Sequence, residues 1–342
     1  MRKYDVYGIG AALVDTEIEV TDLDLANLGV EKGMMTLVDE TRLNSLQDYL
    51  TSSDHLTVSR RACGGSAANT LIALSHFGAS GSFSCQVAND ENGQLYLDGL
   101  KEAGIHFPNS APITDGHSGR CLVLITPDAE RSMNTFLGAS ESFSEQNIDY
   151  QVMADSEYFY IEGYLVTSDT GRAAAISARQ AARQCNTRVA MSLSDPGIVA
   201  HFKEGLEAII DGHLDLLFCN LEEALSWTGA SNLDTATEAL TDTADRFVIT
   251  LGAEGCLLFD GDEIHRLPGH EVTAVDTNGA GDMFAGAMLY GLSQNYDFKK
   301  AGEFACLASA TVVSHFGPRL HPQQHHELLN DFKGQSASSS SK

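Results

Sequence analysis

Seven residues near the end of the chain combine carboxylates with small residues in a pattern suited to anion chemistry. Residues 276–282 read DTNGAGD, and an apolar run that begins at Met283 follows at once. Small residues at the start of a helix leave backbone N–H groups uncovered, and the helix dipole adds positive potential, so a phosphate group can bind there. Asp282 would lie beside that anion, where it can take a proton from an attacking hydroxyl group. The same residues also fit a glycine turn in which Asp282 only favours the first helical turn.

A second glycine-rich segment opens another predicted helix. Residues 64–69 read GGSAAN, and apolar residues at helical spacing run from Ala67 to Phe77. A ligand can touch the backbone at Gly65, and the Asn69 amide, about one turn further on, can meet a sugar hydroxyl. An ordinary helix start explains the same residues, so this motif is ambiguous by itself.

Two further motifs follow predicted strands at the end where α/β sheets bind ligands. Asn220 and Glu223 come directly after the strand Leu214–Cys219, so they could hold waters of a phosphate-bound Mg²⁺, or they could form a capping box. Residues 250–255 (TLGAEG) follow the strand Phe247–Leu251. Their glycines and threonine hydroxyl could contact nucleotide phosphates, and a tight hairpin turn accounts for them equally well.

The glycines after the first strand do not favour a dinucleotide site. Residues 8–15 read GIGAALVD, which lacks the third glycine of the dinucleotide fingerprint and precedes no clear helix. A nicotinamide-dependent dehydrogenase is therefore a weak alternative. Asp15 could instead accept hydrogen bonds from two adjacent ribose hydroxyls, although a single Asp at this place also suits a turn.

Short β-like runs alternate with longer helical patterns, which is typical of a parallel sheet covered by helices on both faces. This pattern predicts an α/β fold. The expected strands are Val6–Ile9, Ser82–Val87, Tyr158–Ile161, Val189–Leu193, Leu214–Cys219 and Phe247–Leu251. The expected helices Ala67–Phe77 and Met283–Leu292 each begin at a glycine-rich motif, so the motifs lie where strands give way to helices.

Two segments, 16–38 and 118–137, break the alternation because each reads as a pair of strands without a helix between them. We expect them to form a small antiparallel sheet that stands off the main body as a lid, with a hairpin turn at 127–130. An extension of the main sheet is the alternative. A lid with open edges and an apolar face would need cover, which suggests a homodimer through the lid. Arg131, beside the turn, could touch an anionic acceptor, but an arginine at a lid turn is more commonly a solvated charge, and we expect the latter.

Composition limits the classes of partner. The 342 residues are 43% hydrophobic, enough for a sizeable core, and 21 basic against 47 acidic residues give a net charge of −26. This charge repels nucleic acid and anionic membranes, so we expect neither as a partner.

Seven cysteines without a CxxC pair indicate reduced thiols and a cytoplasmic protein. We expect one domain at 1–333 and a disordered tail at 334–342 (GQSASSSSK).

Taken in order, the motifs GGxxxN, NxxE, TxGxxG and DTNGAGD resemble the ribokinase-like (PfkB) family of kinases, over about residues 4 to 320. The resemblance implies a three-layer αβα domain with a small β-sheet lid. It also implies transfer of the γ-phosphoryl group of ATP, with Mg²⁺, to a hydroxymethyl group of a small-molecule nucleoside or sugar. Within the family, residues 8–15, Asn278 and residues 120–137 resemble the adenosine kinase branch more than the fructokinases.

The resemblance also implies a role for each motif residue. Asp282 corresponds to the catalytic base, and the amides of Gly279, Ala280 and Gly281 to the anion hole. The acceptor hydroxyls would be held by Asp15, Gly65 and Asn69. The positions that match the ATP and Mg²⁺ sites are Asn220, Glu223, Thr250, Gly252 and Gly255, and those that match a potassium site are Asp276 and Asn278.

Two functional alternatives stay open at the level of sequence. A sugar kinase of the same fold, acting on fructose, ribose or a related ketose, would differ only in the acceptor pocket. A protein that binds nucleoside or ATP as a sensor would keep the binding residues without turnover.

Overall fold

The computed structural model describes residues 2–53, 55–108, 115–128 and 130–339, with side chains as far as Gly334. The strands are β1 (Tyr4–Ile9), β2 (Leu13–Glu19), β3 (Met35–Leu37), β4 (Val58–Gly64), β5 (Gly81–Ser84), β6 (Gly119–Ile125), β7 (Arg131–Phe136), β8 (Ser156–Glu162), β9 (Arg188–Ser192), β10 (Leu216–Asn220), β11 (Phe247–Thr250), β12 (Cys256–Phe259) and β13 (Ile264–Leu267). The α-helices are α1 (Asp22–Leu28), α2 (Glu40–Ser52), α3 (Ser66–His76), α4 (Glu91–Glu102), α5 (Tyr150–Ala154), α6 (Asp169–Gln184), α7 (Pro196–Ile210), α8 (Leu221–Thr228), α9 (Leu233–Leu240), α10 (Ala280–Ser293), α11 (Phe298–Val313) and α12 (Pro322–Ser339).

The large sheet has the strand order β13-β12-β11-β10-β9-β8-β1-β5. Its strands from β5 to β11 in this order are parallel, and β12 and β13 add an antiparallel edge. All six predicted strands of the sheet are present, so the α/β prediction is confirmed. The sheet places the carboxyl ends of β1, β8, β10 and β11 at one edge, where ligands bind in such folds.

Apolar residues on both faces of the large sheet explain its two helical layers. Successive residues of β8 alternate between two core clusters, with Tyr158 and Tyr160 in one and Phe159 and Ile161 in the other. Since side chains of a strand point alternately to opposite faces, each face must be covered by helices. The three-layer αβα architecture follows.

The second sheet, which we call the lid sheet, has the order β3-β7-β6-β2-β4. Both predicted lid segments contribute strands to it, but the expected antiparallel pairing is wrong in part. The pairs β2/β6 and β3/β7 are parallel, while β6/β7 and β2/β4 are antiparallel. Strand β4 was not predicted, because its polar residues 59–61 hide the alternation of an exposed edge strand.

The prediction that no helix lies within segment 16–38 is also wrong. Helix α1 separates β2 from β3 and is bounded by local signals: Thr21 and Asp24 form a capping box, and Gly29 ends the helix in the left-handed conformation with φ 62. With only seven residues, α1 is too short to show a clear apolar period. The capping residues therefore indicate this helix better than its apolar pattern does.

Helices α1 and α2 cover the outer face of the lid sheet. Ile18 on β2 and Leu124 on β6 are buried against Leu25 of α1 and Leu43 of α2. The outer apolar face of the lid sheet is therefore covered within the chain itself, whereas β3 and β4 stay at its edges. The lid homodimer stays a prediction, but the outer face gives no reason for it.

The C-terminal segment differs from expectation in part. Helix α12 runs to Ser339, so the tail predicted from residue 334 begins within a helix, and residues 340–342 lie outside the described residues.

The predicted hairpin turn at 127–130 joins β6 to β7, with residue 129 outside the described residues. No helix in the described part of the chain is long and apolar enough to span a membrane.

Candidate active site

The DTNGAGD motif lies at the start of α10, as predicted. Gly279 caps the helix with φ 73, and a Cβ atom there would lie 2.4 Å from the carbonyl oxygen of Pro318, so only glycine fits. A side chain at Gly281 would meet nothing within 4 Å, which leaves the first helical turn open. The first N–H groups of a helix lack intrahelical acceptors, so this turn can receive an anion.

Asp282, in the first turn of α10, is held by two residues of α3. Ser66 Oγ donates a hydrogen bond of 2.6 Å to its Oδ1, and Asn69 Nδ2 donates one of 3.0 Å to its Oδ2. Burial raises the pKa of Asp282 above its ordinary value, and the two hydrogen bonds oppose that rise. The helices can approach this closely because Gly286 has no side chain, and a Cβ there would lie 2.5 Å from Thr70 O.

Asn69 and Asp15 present hydrogen-bond acceptors without protein partners among the described residues. Asn69 is 4% exposed, and its Oδ1 is buried with no donor. The Asp15 carboxylate, on β2, has no hydrogen-bond donor in the described part of the protein either, and burial with the nearby charge of Glu17 raises its pKa to about 7. Unpaired buried acceptors are costly, so both groups suit a ligand that brings hydroxyl donors.

One cleft of about 420 Å³ joins these groups between the carboxyl edge of the large sheet and the lid sheet. Of the fourteen residues that the motifs implicated, twelve line it: Asp15, Gly65, Asn69, Asn220, Glu223, Thr250, Gly252, Asn278, Gly279, Ala280, Gly281 and Asp282. Gly255 and Asp276 do not line the cleft. The tertiary structure therefore brings together motifs that are far apart in the chain.

Asn220 and Glu223 form a capping box at the start of α8 and also line the cleft. The Asn220 side chain accepts from the Glu223 N–H at 2.8 Å, and Glu223 Oε2 accepts from the Asn220 N–H at 3.1 Å. Burial, with smaller contributions from the charges of Asp195 and Glu222, raises the pKa of Glu223 to about 8. A carboxylate whose charge is so poorly compensated fits a hydrated divalent cation nearby. In the described residues no three His, Cys, Asp or Glu side chains form a direct metal cluster.

The residues of the TLGAEG motif have different surroundings. Thr250 ends β11 and, like Gly252, lines the cleft. Gly255 has φ 96, and a Cβ there would lie 2.2 Å from the carbonyl oxygen of Leu267 on β13. Gly255 does not line the cleft, and its contact with ATP stays a prediction. Its conformation and close packing belong to the β11/β12 hairpin, which was the alternative interpretation of the motif.

Asp276 is fully buried and ties two loops together. Its Oδ1 accepts the Asn278 N–H at 2.8 Å and its Oδ2 accepts the Gly317 N–H at 2.9 Å. This structural role is sufficient to explain a carboxylate at position 276. A potassium site at Asp276 and Asn278 stays a prediction.

Three charged residues that line the cleft, Glu130, Arg131 and Glu162, were not among the predicted site residues. Arg131, expected to be solvated, lines the cleft, and its Nη1 donates to the Thr277 carbonyl oxygen at 2.6 Å, joining the lid to the DTNGAGD turn. Glu162, at the end of β8, accepts the N–H of Ala67 at 2.8 Å and of Ala11 at 3.3 Å. Its position at the carboxyl end of a strand was the available signal, by the same rule that selected Asn220.

The face of the lid sheet that borders the cleft is mostly apolar. Six apolar residues of the lid line the cleft, beside the polar Asp15, Arg131 and Thr135: Leu13, Met35, Leu37, Cys121, Met133 and Leu137. They come from β2, β3, β6, β7 and the residue after β7, so no single segment of sequence reveals them. The cleft consequently has a polar floor of carboxylate, amide and hydroxyl groups and an apolar roof.

Comparisons with known proteins show which family the chain belongs to. The pfkB family carbohydrate kinase model matches residues 37–324. Adenosine kinase from Saccharomyces cerevisiae is 25% identical over 327 residues, covering 91% of this chain and 95% of that protein. The structure of a probable sugar kinase from Rhizobium etli CFN 42 has a TM-score of 0.90 at 28% identity, covering 98% of this chain and 99% of that one. The adenosine kinase structure from Sinorhizobium meliloti has a TM-score of 0.87 at 31% identity, covering 93% and 96%.

The family model spans most of the chain. The two solved structures share its fold over nearly the full length of the chain. The chain is therefore a kinase of the pfkB carbohydrate kinase family, in the branch that resembles the adenosine kinases.

Proposed function

We propose that this kinase transfers the γ-phosphoryl group of ATP to the hydroxymethyl group of a ribonucleoside, converting adenosine to AMP. The observation that carries the proposal is the shared cleft of Asp282, Asn69 and Asp15. It combines a carboxylate at a helix N-terminus with two acceptors that have no protein donor among the described residues. Such a site suits a substrate with several hydroxyls, one of which is to be deprotonated.

Asp282 acts as the base in this proposal. Hydrogen bonds from Ser66 and Asn69 fix its carboxylate, and burial raises its pKa toward the range useful for proton transfer. As the acceptor oxygen attacks phosphorus, its proton passes to Asp282. The first-turn amides of Gly279, Ala280 and Gly281 stabilise the charge on the transferring phosphoryl group.

Thr250 and Gly252 hold the ATP phosphates beside that turn. Glu223 and Asn220 would hold Mg²⁺ through water, because their side chains line the cleft and the Glu223 carboxylate lacks a compensating charge. The bound ion would neutralise charge on the phosphates. Arg131 lowers the pKa of Glu223, but burial of the carboxylate outweighs its charge.

The apolar roof favours a nucleoside over a free sugar. Asp15 and Asn69 suit the hydroxyls of a ribose, while Met35, Met133 and Leu137 across the cleft suit the faces of a flat base. Free fructose or ribose carries hydroxyls on all sides, and would leave some of them facing these apolar side chains at a cost.

Closure of the lid would exclude water, which matters because hydrolysis of ATP competes with transfer. Arg131 is suited to this step because it already joins the lid to the DTNGAGD turn.

The test is ADP release from ATP and Mg²⁺ over a panel of nucleosides and free sugars. The proposal predicts turnover with adenosine and little with fructose or ribose. Turnover with a free sugar alone would identify a sugar kinase instead. Stabilisation by adenosine or ATP without any ADP would identify a sensor. A dehydrogenase is disfavoured further because β2, and not a helix, follows the glycines after β1.

A further inference from the structure

A short loop after α11 contacts both halves of the cleft through consecutive residues. Gly317 donates its N–H to Asp276 Oδ2 at 2.9 Å. Pro318 packs against Gly279, leaving no room for a Cβ atom there. Arg319 donates from Nη2 to the Cys63 carbonyl oxygen at 2.5 Å and from Nη1 to Cys63 Sγ at 3.3 Å. The loop thus links the DTNGAGD turn to the strand that carries the GG motif.

Strand β4, which receives the Arg319 contact, is an edge strand of the lid sheet. Its outer side has no neighbouring strand, so carbonyls there are satisfied by water or by side chains from elsewhere. Arg319 supplies the donor for Cys63, and the hydroxyl of buried Tyr96 donates to the next carbonyl, Gly64, at 3.3 Å. These contacts determine where β4 ends and the GG turn begins.

The position of this turn controls the space around Asp15. A Cβ atom at Gly64 would lie 2.0 Å from Asp15 Oδ2, so the carboxylate lies directly against the Gly64 backbone. A small displacement of residues 63–65 would therefore displace Asp15, or Gly65 at the start of α3, relative to the acceptor. Geometry at this scale matters, because a displacement of about 1 Å can cost about 10²-fold in rate.

Arg319 also acts on Asp15 through its charge. Burial and the charge of Glu17 raise the pKa of Asp15, and Arg319 is the foremost group that lowers it. The other charged groups that face Asp15 are Arg60 on β4, Glu162 on β8 and Asp282 on α10. Because most of these are carboxylates, loss of one cation would favour the protonated form of Asp15.

We infer that Arg319 is a positioning residue for the acceptor: it holds the Cys63–Gly65 turn against Asp15 so that the carboxylate can bind the acceptor hydroxyls. This inference rests on the proposed function. Nothing in the sequence motifs selected Arg319, since it lies outside all of them. Its effect reaches the acceptor through Asp15 and the GG turn.

The test compares Arg319→Gln and Arg319→Lys with the control Arg61→Gln. Arg61 lies on β4, the strand that Arg319 contacts, and its side chain pairs with Glu91 on the surface. Steady-state kinetics with adenosine and ATP are measured from pH 5.5 to about 9. Arg319→Gln should raise the KM of the acceptor about tenfold or more, with less than about twofold change for ATP. The acidic limb of the pH profile of kcat/KM should move to higher pH by about half a unit or more, because Arg319 lowers the pKa of both Asp15 and Asp282. Arg319→Lys should keep the wild-type limb and recover part of the KM, and Arg61→Gln should change neither.

A second readout is independent of turnover. Amide hydrogen exchange of residues 60–66 should be faster in Arg319→Gln than in wild type or Arg61→Gln. If Arg319→Gln does not fold, Arg319→Lys supplies both readouts, because lysine cannot make the paired contact with Cys63. The inference would be overturned if the Arg319 variants kept the wild-type KM of the acceptor and the wild-type exchange rates. It would also be overturned if the KM values of the acceptor and of ATP changed equally. Absence of ADP release by the wild-type protein with any acceptor would instead refute the proposed function, and the exchange data would still decide whether Arg319 holds the turn.

Discussion

The two polar atoms of the Asn69 amide face different environments. Its Nδ2 donates to Asp282 Oδ2 at 3.0 Å, whereas its Oδ1 is buried and has no protein donor among the described residues. A single side chain thus orients the proposed base and offers an acceptor to a substrate hydroxyl. The two functions can be separated by mutation.

Asp282→Asn should lower kcat by about 10² to 10⁴, since the amide cannot accept the proton that the carboxylate accepts. ATP affinity should change little, because the first-turn amides of α10 remain. Stopped assays of ADP formation and titration with ATP measure the two quantities. Near-normal turnover in this variant would refute the assignment of Asp282 as base.

Asn69→Ala should raise the KM of the acceptor about tenfold or more and also lower kcat, because it removes both contacts. Ser66→Ala is the matched control: it removes only the hydrogen bond to Asp282 Oδ1 and leaves Asn69 in place. Ser66→Ala should therefore lower kcat with a smaller change in KM. Equal effects of both variants on KM would argue against a substrate contact at Asn69.

Glu223→Gln should raise the Mg²⁺ concentration needed for half-maximal activity about tenfold or more. Glutamine preserves a capping box with Asn220, so the thermal unfolding temperature should change little. Glu238→Gln on α9, at an exposed residue, is the control and should leave the Mg²⁺ dependence unchanged. A large loss of stability with an unchanged Mg²⁺ dependence would mean that Glu223 only caps α8.

Arg131→Gln should lower kcat/KM for ATP about tenfold, because it removes the charged hydrogen bond between the lid and Thr277. Lys32→Gln provides the comparison, since Lys32 pairs with Asp22 and Asp128 on the lid outside the cleft. Steady-state kinetics should show little change in that variant. An equal loss of kcat/KM for ATP in Arg131→Gln and Lys32→Gln would indicate that either change weakens the lid as a whole.

Glu162 should make the stability of the protein depend on pH. Burial raises its pKa from 4.5 to about 7, although two N–H groups donate to it. Between these pH values the folded state binds a proton that the unfolded state has released, so stability decreases as pH rises, by at most about 3 kcal/mol. Urea unfolding of Glu162→Gln should show a smaller decrease between pH 5 and about 7.5 than wild type.

The control for this pH effect is Glu91→Gln, whose side chain is 84% exposed. It should follow the wild-type pH dependence of unfolding free energy. Parallel curves for Glu162→Gln and wild type would contradict a proton held by Glu162 in the folded state.

The sequence alone determined the α/β fold and most of the cleft, because strand-to-helix turns carry strong local signals. Glycines that need special conformations and polar residues at strand ends are recognisable without a partner, and this is why Asp282, Asn69 and Glu223 could be predicted. The lid was harder. Helix α1 is short, β4 is a polar edge strand, and the parallel pairing of β2 with β6 joins segments about 100 residues apart.

Only the tertiary structure decided which of two interpretations each motif takes. Gly255 packs against β13 and does not line the cleft, Asn220 and Glu223 both cap α8 and face the cleft, and Arg131 bonds to Thr277. The role of Arg319 likewise depends on Cys63, which is 256 residues away. Sequence motifs record local backbone requirements, whereas contacts of this kind exist only after the chain has folded and so leave no local pattern.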